Sequence, residues 1–212
     1  MQLDLIFGLI ILIFSIIIHE VSHGVVANWL GDPTARLAGR LTLNPLKHID
    51  PIGSVVLPAF LVLTHSSVFF GWAKPVPYNP YNLRGGKWSE AAVAFAGPGV
   101  NLLIAVIFGL LIRFGADSFS APFISLAGTI VIYNLMLAVF NLIPIPPIDG
   151  SKVLAALLPY HASRAFNDFG NRIAGLGLVG LFLFLILFGC IFFPIFSAIV
   201  GFVFSLITGV PL

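Results

Sequence analysis

Apolar residues run almost unbroken from Leu5 to Ile18, and comparable stretches recur along the chain. About 20 mostly apolar residues, at a rise of about 1.5 Å each, cross the hydrocarbon of a bilayer. By that rule the first span covers Leu3 to Leu30, and no basic residue precedes it, so it does not read as a cleaved leader. Clear spans follow at Ala91 to Ile112 and Phe123 to Ile143. A long apolar stretch, Ile173 to Val210, is divided by Pro194 and crosses either once or as two short spans. Ile52 to Trp72 is interrupted by Pro58 and by His65, Ser66 and Ser67, which leaves both a crossing and a re-entrant hairpin open.

Composition agrees with lipid as the main solvent. Hydrophobic residues make up 59% of the 212 and charged residues 8%, where a soluble domain carries roughly 25% charged. Soluble enzymes, disordered tails and disulfide scaffolds are thereby excluded, and Cys190 sits alone in an apolar run. With a net charge of +2 and no Lys/Arg cluster, nucleic acid is not an expected partner. Treating Ile52 to Trp72 as a hairpin puts every basic residue except Arg113 on one face, whereas a full crossing divides them nearly evenly. The positive-inside rule then selects the hairpin, an outer amino terminus, and the loops Gly31 to Asp50, Gly71 to Glu90 and Gly150 to Arg172 in the cytosol. No repeat or linker marks a second domain, so residues 1–212 read as one unit, with a core over 1–152 and C-terminal helices over 173–210.

The polar residues inside these spans carry the chemistry. His19, Glu20, Val21, Ser22 and His23 interrupt the inner part of the first span. Charges at bilayer depth cost roughly 2.5 to 3.5 kcal/mol each, so something must offset them. Histidines at i and i+4 share a helical face and can grip one metal ion, while the glutamate between them can act as a base on water: this is the zinc-hydrolase pattern. A third ligand is required. His48, His65 and His161 are candidates in loops or breaks. Asp149 is the stronger one, because Pro144, Pro146 and Pro147 end the preceding helix, and the hairpin topology brings this acid to the same inner level as His19 and His23. Asn134 and Asn141 share a face of their helix, and Asn101 follows Gly97-Pro98-Gly99; such amides serve either as interhelical glue or as donors to an oxyanion. The Gly97-Pro98 pair and the Pro144 to Pro147 kink are expected to open a water path to the cytosol.

Ala35 to Asn44 alternates Leu37, Gly39, Leu41 and Leu43 with Ala38, Arg40 and Thr42, which predicts a half-buried edge strand. Trp72 to Pro80 would be its companion loop or strand, and together they would offer an edge to an unwound substrate peptide. The fold class expected is therefore an all-α polytopic membrane protein. It would have five to six transmembrane helices, a small membrane-associated β-hairpin or sheet, and a re-entrant segment near the active site.

His19-Glu20-Val21-Ser22-His23, the run Asn44 to Gly53, Gly97-Pro98-Gly99-Val100-Asn101 and the run Asn141 to Gly150, in that order, resemble the site-2 protease family of intramembrane zinc metalloproteases, in its compact prokaryotic branch. The resemblance runs from the first span to about Lys152. It implies that His19, His23 and Asp149 hold one Zn2+, that Glu20 is the catalytic base, and that Asn141 and Asn101 assist substrate or oxyanion binding. Ile148 stands where the family more often has Leu. The implied activity is hydrolysis of peptide bonds in or near transmembrane segments of membrane-protein substrates. The implied setting is a multi-pass protein of the cell membrane with its active site towards the cytosol, and a homo-oligomer is compatible with it. A metal-ion or proton-coupled transporter is the rival reading, disfavoured by the missing internal repeat and by a glutamate that a permeation path does not need.

Overall fold

A computed structural model describes residues 2–64, 71–177, 179–180, 186 and 188–212. Helix α1 (Gln2–Trp29) contains no proline and stops where Gly31 adopts a φ of 110° and Pro33 follows. A single helical turn, α2 (Thr34–Leu37), comes next. A π-helical turn, Pro51–Val56, leads into α3 (Leu57–Leu63). Helix α4 (Lys87–Gly115) runs through Gly97-Pro98-Gly99, so the helix break expected there is not formed. Helix α5 (Ala121–Asn141) starts with Pro122 in its first turn and ends ahead of Pro144. Two further helices, α6 (Asp149–Leu157) and α7 (Tyr160–Gly175), follow. The last, α8 (Phe193–Thr208), takes Pro194 into its first turn and closes on Gly209, left-handed at φ 79°.

Helix α4 is the centre of the bundle, packing against α1, α5, α6 and α8. Ala105 and Ile112 of α4 meet Ala127, Val131 and Leu135 of α5 and Phe196, Val200 and Phe204 of α8 in the main core. The outer face of α1 leaves Ile6, Phe7, Leu9, Ile10, Ile13 and Phe14 exposed, a surface suited to hydrocarbon.

Two expectations require correction. Among the described residues three helices are long and apolar enough to cross a membrane, Ile6–Trp29, Lys87–Gly115 and Ala121–Asn141, rather than five or six; Phe193–Thr208 is shorter. Most of 178–187, where a further span was expected, lies outside the described residues, as do His65, Ser66 and Ser67. Second, the described residues contain no strand, and the proposed β-hairpin or sheet is absent. The alternation in Ala35 to Asn44 has another cause. Thr34–Leu37 is helical and Gly39 turns the chain at φ 64°, so the intended inner face is not inner: Leu37 is 78% exposed, while Arg40 is buried.

The segment after Pro51 returns to its starting level. Trp72 N–H donates to the Gly53 carbonyl at 3.2 Å, and Ser54 Oγ donates to the Trp72 carbonyl at 2.8 Å. Gly53 is required, since any Cβ would run into the Trp72 indole. The run Asn44 to Gly53 is thus largely scaffold. Asn44 caps Leu46, Asp50 caps Ile52 and Gly53, and the His48 carbonyl receives Lys74 N–H at 2.8 Å.

Candidate metal centre

Ser15, His19 and His23 are spaced four apart, so they form one stripe on α1, and all three are buried against α4 and its neighbours. Asp149 comes from far along the chain. The three prolines keep 142–148 out of helical geometry, and α6 begins at Asp149 itself. Gly150 permits that tight return, because a Cβ there would overlap the Leu142 and Ile143 carbonyls.

The Asp149 Oδ2 atom lies 3.2 Å from Nε2 of His19 and 3.2 Å from Nε2 of His23, and the three donor atoms all fall within 4.8 Å of one another. The other ring nitrogens are occupied. His19 Nδ1–H donates to Asn101 Oδ1 at 2.6 Å, and His23 Nδ1–H donates to the Val93 carbonyl at 2.7 Å. The direction of the first bond is fixed, because the Asn101 amide nitrogen donates to Asn134 Oδ1 at 2.7 Å and to the Ser15 carbonyl. Each imidazole thus has its Nδ1 engaged and turns its Nε2 towards the Asp149 carboxylate oxygen. With each Nδ1 engaged elsewhere, both Nε2 atoms and a carboxylate oxygen are left facing one small space, and two imidazoles with a carboxylate are a zinc donor set. The residues present fit that ion. Helix α4 passes close enough that a Cβ on Gly97 would lie 2.5 Å from Nε2 of each histidine, inside the volume a metal needs.

Glu20 Oε2 accepts the Val76 backbone N–H at 2.9 Å. That loop is held in place by Arg40, whose Nη2 donates to the Lys74 and Pro75 carbonyls at 2.7 and 3.3 Å. A cavity of about 280 Å³ is lined by His19, Glu20, His23, Asp149, Asn141 and Lys152, with Val76 and Tyr78 from the loop. Asn141 thus faces the cavity, although one amide hydrogen is committed to the Leu137 carbonyl at 2.9 Å. Asn101 does not line it: the side chain is fully enclosed, and its amide is spent on His19, Ser15 and Asn134. Asn134 completes that network by donating to Ser15 Oγ at 3.0 Å.

Of the other candidate ligands, His65 is outside the described residues, and the remaining two lie apart from the site. His48 is buried but Nε2–H donates to the Thr42 carbonyl at 2.9 Å, and His161 is exposed on α7 beside Tyr160. Several participants were missed in the sequence. Ser15 was legible as the next polar residue on the His19–His23 stripe. Lys152 stands three residues after Asp149 on a short amphipathic helix, a weaker signal. Tyr78, Arg40 and the Val76 N–H had none, because only the folded loop brings them here.

Residues 111–187 match the model of peptidase family M50. YwhC of Bacillus subtilis, named as a zinc metalloprotease, is 38% identical over 164 residues, covering 71% of this chain and 68% of that protein. A Mycolicibacterium smegmatis protein with a similar name is 32% identical over 153 residues, covering 72% of this chain and 58% of its own length. No solved structure matches.

Proposed function

The chain belongs to peptidase family M50, a family of zinc metalloproteases, and from that premise we propose that it is an intramembrane endopeptidase cutting membrane-protein substrates in or near their transmembrane segments. The observation that carries this reading is the convergence of His19, His23 and Asp149 donor atoms within 4.8 Å, with Glu20 on the same cavity.

His19, His23 and Asp149 would hold the ion. When bound, Zn2+ supplies Lewis-acid polarisation of the scissile carbonyl and makes water more acidic. Glu20 takes a proton from the attacking water and passes it to the leaving amine. Its Oε2 accepts the Val76 N–H, which leaves Oε1 to meet the water. Asn101 and the Val93 carbonyl fix the tautomer and orientation of the two imidazoles, so Asn101 is a positioning residue rather than an oxyanion donor. Asn141, on the cavity wall, is the amide that can meet the carbonyl oxygen of the substrate. The charge asymmetry of the loops favours a cytosolic opening, and the return of residue 72 to residue 53 agrees with a segment that enters and leaves on one side.

The test is co-expression of single-span membrane proteins with native and Glu20→Ala forms. We expect substrate-derived fragments to disappear in the variant while zinc stays bound at one equivalent per chain. Fragments of unchanged pattern and yield with Glu20→Ala would overturn the role of Glu20.

A further inference from the structure

Beside the metal cavity lies a second one, of about 410 Å³, whose wall includes Lys87, Glu90, Ser151, Asn167 and Asn171. Pro147 and Lys152 line both cavities, so the two meet at the Lys152 side chain. Lys152 is partly buried. Its Nζ donates to the Tyr78 hydroxyl at 2.7 Å and lies 4.9 Å from the centre of that ring. It forms no ion pair with any carboxylate among the described residues. Burial works to lower its pKa, but Tyr78 and the charges of Asp149 and Glu90 outweigh it and raise the value, so the group is an ammonium at neutral pH. An ammonium carries three hydrogens, and the Tyr78 hydroxyl is the one acceptor within hydrogen-bond distance of Lys152 among the described residues, so the group keeps donor capacity for an incoming anion. Lys87, the other lysine of the second cavity, is already donating to the Leu158 carbonyl at 3.2 Å.

We propose that Lys152, at the junction of the two cavities, is a specificity subsite for a carboxylate that the substrate carries close to the scissile bond, as an acidic side chain or as a free C-terminus. The inference rests on the proteolytic reading above and adds the substrate class. The cytosolic flanks of membrane segments are usually rich in Lys and Arg. A fixed ammonium beside the catalytic cavity repels those flanks and accepts the minority that present an acid, so the same charge that attracts one class excludes the commoner one.

Binding can be read without turnover. Zinc-loaded Glu20→Gln protein in lipid nanodiscs is titrated with fluorescent membrane-segment peptides that carry Asp, Asn or Lys near the cut, and with a further pair ending in a free or an amidated C-terminus. Anisotropy should show the carboxylate form of one set binding about 10- to 100-fold tighter than its neutral counterpart. Preference for Asp identifies a side-chain acid, and preference for the free terminus identifies a C-terminal one. Lys152→Met should abolish the preference and Lys152→Arg should keep it, with zinc content unchanged in both. Equal binding of acidic and neutral peptides by the protein with Lys152 intact overturns the subsite, whether or not the variants fold, and so does a preference that survives in folded Lys152→Met. Native protein that cleaves these peptides while binding them equally sinks the subsite alone. Native protein that cleaves none of them sinks the proteolytic reading instead.

Discussion

At the metal centre single atoms decide what is allowed. A Cβ on Gly97 would lie 2.5 Å from both Nε2 atoms, in the space that an ion held by the two histidines would need. Gly97→Ala should therefore lose zinc and peptide cleavage together, with activity falling by at least about 100-fold, while the helix, which gains a better helix former, keeps its circular dichroism. Bound zinc is read by elemental analysis of the purified variant. Full zinc occupancy in Gly97→Ala would show that the ion sits elsewhere. The histidine pair and its glutamate were legible in the sequence because a helix repeats every 3.6 residues, and spacing alone puts residues 19 and 23 side by side. Asn101 was read as a candidate donor to substrate, yet its amide is consumed by His19, Ser15 and Asn134. A polar residue in an apolar helix announces that it has a partner, but not which one.

Among the elements, the connectors carry the surprises. Asp32 lies just past the end of α1, fully buried, and its carboxylate accepts bonds from Thr34 N–H and Oγ1, Asn82 Nδ2 and Asn79 N–H. It thereby ties the start of the first loop to the end of the loop that reaches Glu20. Burial pushes its pKa upward, but the bonds from Thr34, Asn82 and Asn79 outweigh it and hold the value below the ordinary carboxylate range. A depressed folded-state pKa gives stability that is complete above the unfolded value, near 3.9, and is lost as pH falls through the folded one. Asp32→Asn should thus cost about 1 to 3 kcal/mol at neutral pH. The gap in melting temperature between native and variant should narrow below about pH 4. A gap that stays constant with pH would remove the charge from this account. The strand expected over Ala35 to Asn44 failed at the same scale. Alternation in sequence reports two environments only if both faces exist, and here the chain turns at Gly39 and points Arg40 inward to bond the Lys74 and Pro75 carbonyls.

For the molecule as a whole, a metal held by these three residues would be a cross-link. It would join α1 to the start of α6, 130 residues away from His19, and α4 is packed between the elements that carry the three residues. An ion bound by the folded state alone stabilises it in proportion to occupancy, by about 4 kcal/mol at a thousandfold excess over Kd. Removing zinc with a chelator should lower the melting temperature by several degrees, about 2 to 4 °C per kcal/mol at this size. Asp149→Asn should show a much smaller chelator effect. An unchanged melting temperature on chelation would mean that the ion contributes nothing to the fold. Sequence by itself determined that the chain lives in lipid, where its main helices run, and that His19 and His23 share a face with Glu20 next to it in the same turn, because solvent preference and helical period are local properties. Only the tertiary structure decided that Asp149 meets the two imidazoles, that Asn101 serves His19, that Val76 reaches Glu20 and that Lys152 stands between two cavities. Those are contacts between residues far apart in the chain, set by how the helices pack and where the prolines and glycines let the connectors turn.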